Sequence, residues 1–256
     1  MVAKACKVLR AFSPNVGVLS VRQVAERAQV PRSTAHELCR TLVAEGLLEV
    51  VDDGYRLGPL LLELAGQLIV RTGIVRASEG ILERLAQLPE REAYLGHLSS
   101  GWIFVFEKAS SGRKVPMHKL VGQRVPAHLT GCGKAALSWL PFDAVVSRVQ
   151  MCCAEDSLPL PNFDEFEQEL RIARENGCVV SQDEPSGPLS VAAPILDALT
   201  EPLGGIALAG PASMFSSAAL AATRESVIDA AGLVSSRLIT SRAALRMTQH
   251  HDDPRP

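Results

Sequence analysis

Residues 31–40 (Pro-Arg-Ser-Thr-Ala-His-Glu-Leu-Cys-Arg) gather side chains suited to holding a polyanion. At helical spacing Ala35, Leu38, Cys39 and Leu42 fall within one narrow arc, with Ser33, His36, Glu37 and Arg40 on the opposite side. Arg32, Ser33 and Thr34 stand in the first turn, where unpaired backbone N–H groups and the positive end of the helix dipole attract phosphate. Such a helix buries one face and offers donors to a DNA major groove on the other. Arg22 in the preceding segment and Arg56 beyond an Asp-Gly turn extend the same chemistry.

A second constellation lies at residues 121–135, where Gly131, Cys132, Gly133 and Lys134 lead into a helix. Small residues at that position let backbone N–H groups converge on a carboxylate or another anion. The Gly133-Lys134 pair does not make a phosphate-binding loop, because the first glycine is missing at the required spacing and no Ser or Thr follows the lysine. A rival reading takes Cys132 as a thiol nucleophile, His128 as its base and Asp183 or Glu184 as the orienting group. The six cysteines include no C-x-x-C pair, and adjacent Cys152 and Cys153 suit neither a zinc knuckle nor a secreted disulfide framework. Most are expected to be buried thiols. No metal site is expected at His250 and His251, which lack partners nearby, and no cofactor is expected anywhere.

The elements that must position these groups follow from periodicity and punctuation. Residues 3–12 place Ala5, Val8, Leu9 and Phe12 on one helix face, and Ser13, Pro14, Asn15 and Gly17 stop it. Ser20 opens a second helix with Gln23 as the partner in a capping box, and Val21, Val24, Ala25 and Ala28 form its inward stripe. Pro31 is expected in the first turn of the third helix, which Gly46 ends. Two short helices joined by a tight turn make a helix-turn-helix. Residues 47–51 and 55–57 flank Asp52-Asp53-Gly54 as a hairpin, the wing that would bring Arg56 to a phosphate.

Beyond Pro59, apolar residues of the 60–69 segment go almost all the way round a helix, so it needs partners on more than one side, another subunit among them. A helical stripe is expected over 76–88, and strands at 93–98, 102–106, around Lys119-Leu120, and at 179–181, 190–196 and 204–209. Helices are expected near 133–140, 142–149 and 163–176, with a closing helix from Ser216 to about Leu238. Strands with helices at both ends give an α+β domain.

The chain has 256 residues, enough for two domains of ~100–200 residues. Its 47% hydrophobic and 21% charged content is that of a globular protein. The net charge of −2 gives no global case for nucleic acid, but residues 1–40 carry seven Lys and Arg against two Glu. A basic front on an acidic body points to an anionic partner for the front alone. No stretch approaches the ~18 apolar residues of a membrane span, and the N-terminus lacks a signal peptide's apolar region, so a cytoplasmic protein without membrane contact is expected.

Residues 4–12 (Lys-Ala-Cys-Lys-Val-Leu-Arg-Ala-Phe) resemble the opening helix of the IclR family of bacterial transcription regulators. Residues 31–38 resemble that family's recognition helix, and residues 54–58 (Gly-Tyr-Arg-Leu-Gly) its wing exit. The resemblance runs from residue 3 to about residue 240. It implies an α+β chain of two domains: a winged helix-turn-helix DNA-binding domain at 1–58, a linker helix at 59–74 and a GAF-like effector-binding domain at 75–241. A disordered tail is expected at 242–256. By the same resemblance, ligand contacts correspond to Gly131 and Cys132, residues 190–195 to a second pocket strand, and residues 207–211 to a third. The family commonly has Cys where Ser190 stands and often hydroxyl residues where this chain has Ala207 and Ala209. Its acidic pocket residue falls on Val180 without a gap, and Asp183 and Glu184 need a shift.

The resulting expectation is a transcription regulator rather than an enzyme, and a repressor rather than an activator. Duplex operator DNA would meet Arg22, Arg32, Ser33, Thr34, His36, Arg40 and Arg56. A small organic acid or aromatic metabolite would meet Gly131, Cys132, Asp183, Ser190, Ala207 and Ala209, in an enclosed cavity made more apolar by the missing hydroxyls. The chain would work as a homodimer or homotetramer. The alternatives are the thiol-dependent hydrolase and a DNA-binding architectural protein without a ligand.

Overall fold

The structure is a computed structural model and describes residues 1–13, 16–114, 124–182 and 188–249. The chain divides into two compact units, Met1–Thr72 and Gly73–Pro256.

In the first unit α1 (Val2–Arg10), α2 (Val21–Ala28) and α3 (Arg32–Ala44) surround a core of Val8, Phe12, Leu19, Val24, Leu38, Cys39 and Leu42. The capping box forms as its residue types require: the Ser20 hydroxyl accepts from the Gln23 N–H, and the Ser20 N–H donates to the Gln23 side chain at 2.9 Å. Gln29 closes α2 in the left-handed region (φ 53), turning the chain sharply into α3. Pro31 sits just ahead of α3 as its N-cap rather than inside its first turn. The Arg27 guanidinium donates to the Ala11 carbonyl at 3.1 Å and ties α2 to the end of α1.

The hairpin of β1 (Leu48–Val51) and β2 (Gly54–Leu57) pairs Val51 with Gly54 across a two-residue Asp52-Asp53 loop. Leu19 and Tyr55 exchange both backbone hydrogen bonds at 2.9 Å, so the entry to α2 is laced to the wing. A β-carbon on Gly54 would run into the Leu19 carbonyl, which fixes glycine at this turn. The last element is α4 (Leu60–Thr72), none of whose residues is buried.

The second unit is one antiparallel sheet with helices on both faces. Its strands are β3 (Glu92–Ser99), β4 (Trp102–Ser110), β5 (Arg113–Lys114), β6 (Arg124–Pro126), β7 (Val179–Gln182), β8 (Leu189–Leu196) and β9 (Pro202–Gly210). They run in the order β5-β4-β3-β9-β8-β7, with β6 also on β4. Period-two alternation sends Leu95, Val191, Ala193, Ile206 and Leu208 to one face, under α5 (Ile74–Ala77), α6 (Ile81–Leu85) and α10 (Ser217–Gln249). Val179, Ala192 and Ala207 face the other side, under α7 (Gly131–Leu137), α8 (Phe142–Asp156) and α9 (Phe163–Asn176).

Several boundaries differ from expectation. The stripe over 76–88 is broken at Gly80 (φ +72) into α5 and α6, and Leu88 is exposed. Helix α7 starts two residues early because Thr130 caps it, its hydroxyl accepting from the Gly133 N–H at 3.0 Å. Helix α8 continues to Asp156, carrying buried Cys152 and Cys153. Helix α10 extends to Gln249 through residues expected to be tail. The strand expected around Lys119-Leu120 and the His250-His251 pair lie outside the described residues. No helix among the described residues is long and apolar enough to cross a membrane.

Candidate functional site

In the first unit α3 divides as its sequence requires. Ala35, Leu38, Cys39 and Leu42 are buried, while Arg32, Ser33, His36 and Arg40 are exposed and Thr34 is half-buried. No side chain caps the start of α3 and no acidic residue stands in its first turn, so its donors are open to an anion. Arg22 lies on α2, 3.8 Å from Glu26 one turn on. Arg56 departs from expectation. Register places it opposite Glu49, and its Nε lies 2.6 Å from the Glu49 carboxylate, so the wing arginine is already ion-paired. Both side chains are partly exposed, a setting in which an ion pair contributes about 0–1 kcal/mol and exchanges readily.

In the second unit the space expected beside residues 131–134 is filled. A β-carbon on Gly131 would lie 2.6 Å from the Ser190 hydroxyl and 3.2 Å from the Ala192 methyl. Gly205 lets β9 approach the backbone of Cys132 equally closely. Gly131 and Ser190 are thus brought together, joined by Ser181, whose hydroxyl is 3.1 Å from that of Ser190. The Cys132 thiol instead packs near Gly96 within the core, and burial pushes its pKa up to about 12. Asp183 lies outside the described residues.

An open hollow of about 590 Å³ lies further along the same sheet, lined by Glu92, Tyr94, Pro188, Ala209 and Pro211 among others. Pairing explains its polar end. Glu92 stands opposite Ala209, which stands opposite Ser190, and Tyr94 stands between Ala207 and Lys108. Residues paired in this way share a face. The Tyr94 hydroxyl donates to Glu92, the Lys108 ammonium meets the same carboxylate at 2.7 Å, and that ammonium lies 4.9 Å from the centre of the Tyr94 ring. Burial works to raise the Glu92 pKa, but the bonds from Lys108 and Tyr94 outweigh it and hold the carboxyl below its ordinary value. Sequence reasoning missed Glu92, Tyr94, Lys108 and Ser181. Alternation within β3 marks the face of Glu92 and Tyr94, but nothing local says that β9 lies beside β3.

The thiol-base pair is not assembled. The His128 Nε2 faces Cys153 at 3.7 Å, and burial lowers the His128 pKa while burial raises that of Cys153. No group of three His, Cys, Asp or Glu side chains that could hold a metal occurs among the described residues.

Residues 66–236 match the family model described as bacterial transcriptional regulator IclR C-terminal, and residues 1–52 match the IclR helix-turn-helix domain. The HTH-type transcriptional regulator BhcR of Paracoccus denitrificans is 27% identical over 218 residues, covering 83% of this chain and 78% of that one. The regulator XynR of Escherichia coli is 25% identical over 244 residues, covering 93% and 96%. Among solved structures, an IclR regulator from Silicibacter sp. shares the fold with a TM-score of 0.76 and 23% identity, covering 93% of this chain and 95% of that one. An IclR homologue from Microbacterium hydrocarbonoxydans, complexed with 4-hydroxybenzoate, has a TM-score of 0.72 and 23% identity, covering 93% and 98%.

Proposed function

Because this chain belongs to the IclR family of bacterial transcriptional regulators, we propose that it is a repressor whose hold on operator DNA is set by a small effector in its second unit. The chain is a DNA-binding regulator rather than an enzyme. Helix α3 enters the major groove, with Ser33, His36 and Arg40 meeting base edges and Arg32 and Thr34 meeting phosphate at its start. Arg22 and Arg56 add phosphate contacts from α2 and the wing. The observation that carries this reading is the exposed Ser33–His36–Arg40 strip on a helix whose first turn is uncapped.

Selection of binding sequences from a random duplex pool, followed by gel-shift titration, tests it. A shared motif bound well above random duplex supports the assignment, and equal binding of all sequences overturns it. A reporter placed behind the selected motif tests the sign of regulation: transcription should fall when the protein is expressed.

The effector is a small organic acid or aromatic metabolite, held by Gly131, Ser190, Ala207, Ala209 and Asp183, with Cys132 taking part through its backbone. Half-buried Ala209, which lines the hollow, supports a ligand with an apolar body, and the 4-hydroxybenzoate held by the Microbacterium homologue is of that kind. The ligand alters DNA affinity only by preferring one state of the protein, with a typical coupling of ~1–3 kcal/mol. A thermal-shift screen of metabolites checks this, since a binder at ~100 times its Kd adds ~2.7 kcal/mol.

A further inference from the structure

The hollow beside Ala209 has a chemical polarity of its own. Its lining includes Ala209, Pro188 and Pro211, which present no side-chain polar atom, together with Tyr94 and Ser213. Its charge comes from Glu90 and Glu92, both of which line it. Among the described residues two cations share this face: Lys108, held by Glu92 at 2.7 Å and lying over the Tyr94 ring, and Arg113, two strands from Glu92 in the same row through Ser110. The Glu92 carboxylate therefore already takes one bond from Lys108 and one from the Tyr94 hydroxyl. A carboxylate accepts about four hydrogen bonds, so two remain available. A second anion inside the hollow would face the two carboxylates that line it, while Lys108 is engaged by Glu92 and neither Lys108 nor Arg113 is among the lining residues.

The register also bounds the size of an occupant. Glu92, Ala209 and Ser190 lie in one row across β3, β9 and β8. Two inter-strand spacings separate the ends of that row, about 10 Å between backbones. Only a methyl group stands between them. That is room for one ring-sized body over Ala209, with its edge toward Glu92.

We propose that Glu92 is the specificity-determining residue of the effector site, accepting a hydrogen bond from a hydroxyl or amino donor on a ring-sized effector seated over Ala209 beside Tyr94. The inference rests on the effector reading above and sharpens it. An acid effector turns its carboxylate away from Glu92, along the row toward the β8 side of Ala209, and places its neutral donor at the Glu92 end. Tyr94 is a positioning residue, acting through the bond that steadies the Glu92 carboxylate. Lys108 acts in the same way.

The test is calorimetry on the full chain with three probes: 4-hydroxybenzoate, benzoate and terephthalate. The wild type should bind 4-hydroxybenzoate at least about tenfold more tightly than benzoate, the size expected for one hydrogen bond to a charged acceptor. Terephthalate should bind most weakly. Glu92→Ala should bring 4-hydroxybenzoate and benzoate to within about threefold of each other. Glu92→Gln keeps an acceptor for Lys108 and Tyr94 and should specifically relieve the rejection of terephthalate, so it carries the test if the alanine variant does not fold. Tyr94→Phe should weaken 4-hydroxybenzoate while keeping the order of the probes. Unchanged affinity ratios among the probes in both Glu92 variants overturn the proposal, as does equal binding of the three probes by the wild type. If none of the three binds while another metabolite binds and releases DNA, this inference fails and the effector reading stands. If no metabolite binds at all, the effector reading itself fails.

Discussion

Glu49 is the residue that most changes how the wing is understood. It lies across the hairpin from Arg56 and neutralises the cation that the wing offers to phosphate. Glu49→Gln should therefore raise affinity for all duplexes alike, by up to about fivefold, the ceiling for a partly exposed ion pair. Arg56→Ala should lower affinity evenly and reduce the salt slope by about one. Arg40→Ala should behave differently, costing about 1–3 kcal/mol on the preferred sequence and relaxing the choice of base at one position. Salt-titrated gel shifts on preferred and random duplexes separate the three outcomes. Gly131 is constrained by packing, whatever its part in ligand binding. Gly131→Ala places a methyl against the Ser190 hydroxyl and should cost about 1–3 kcal/mol of stability in urea unfolding.

At the scale of elements, Thr130 sets where α7 begins. Thr130→Ala removes the acceptor for the Gly133 N–H and should destabilise the second unit by about 1 kcal/mol, read as a lowered urea midpoint with unchanged slope. The helix-turn-helix was legible because its signals are local: a Ser20–Gln23 box, a proline before α3, an apolar arc at 3.6-residue spacing and an Asp52-Asp53 loop. The effector face was less so. Gly131 and Ser190 could be named from resemblance, but the space beside them is closed by three small side chains, Ser190 and Ala192 of β8 and Ser181 of β7. Glu92 reaches the row of Ser190 only because β3 pairs with β9, a neighbour more than a hundred residues later in the chain. No local pattern encodes that adjacency. The pairing of Arg56 with Glu49 was within reach, since a two-residue loop fixes the register and sets the two opposite each other.

At the scale of the whole molecule, one winged unit covers a single half-site, and α4 exposes Leu62, Leu64, Leu68 and Val70. Light scattering at micromolar concentration should give the mass of a dimer or tetramer, and a Leu62→Glu, Leu68→Glu variant should lower it. Selected operators should then carry paired half-sites about 10 bp apart or a multiple of that. A monomeric wild type would remove the reason to expect pairs.

The distribution of the thiols has a practical consequence. Five of the six cysteines are buried, and burial pushes Cys39 and Cys152 up to about 11 and Cys132 to about 12. Alkylating reagents attack thiolates, so these positions should stay unlabelled in the folded protein. Cys6, exposed on α1, is the exception. A maleimide dye should therefore attach once per chain, on the DNA-binding unit, without any engineered substitution. Ellman titration should show one fast thiol under native conditions and six in denaturant, and the dye would then report subunit exchange and DNA engagement by fluorescence in the unaltered protein.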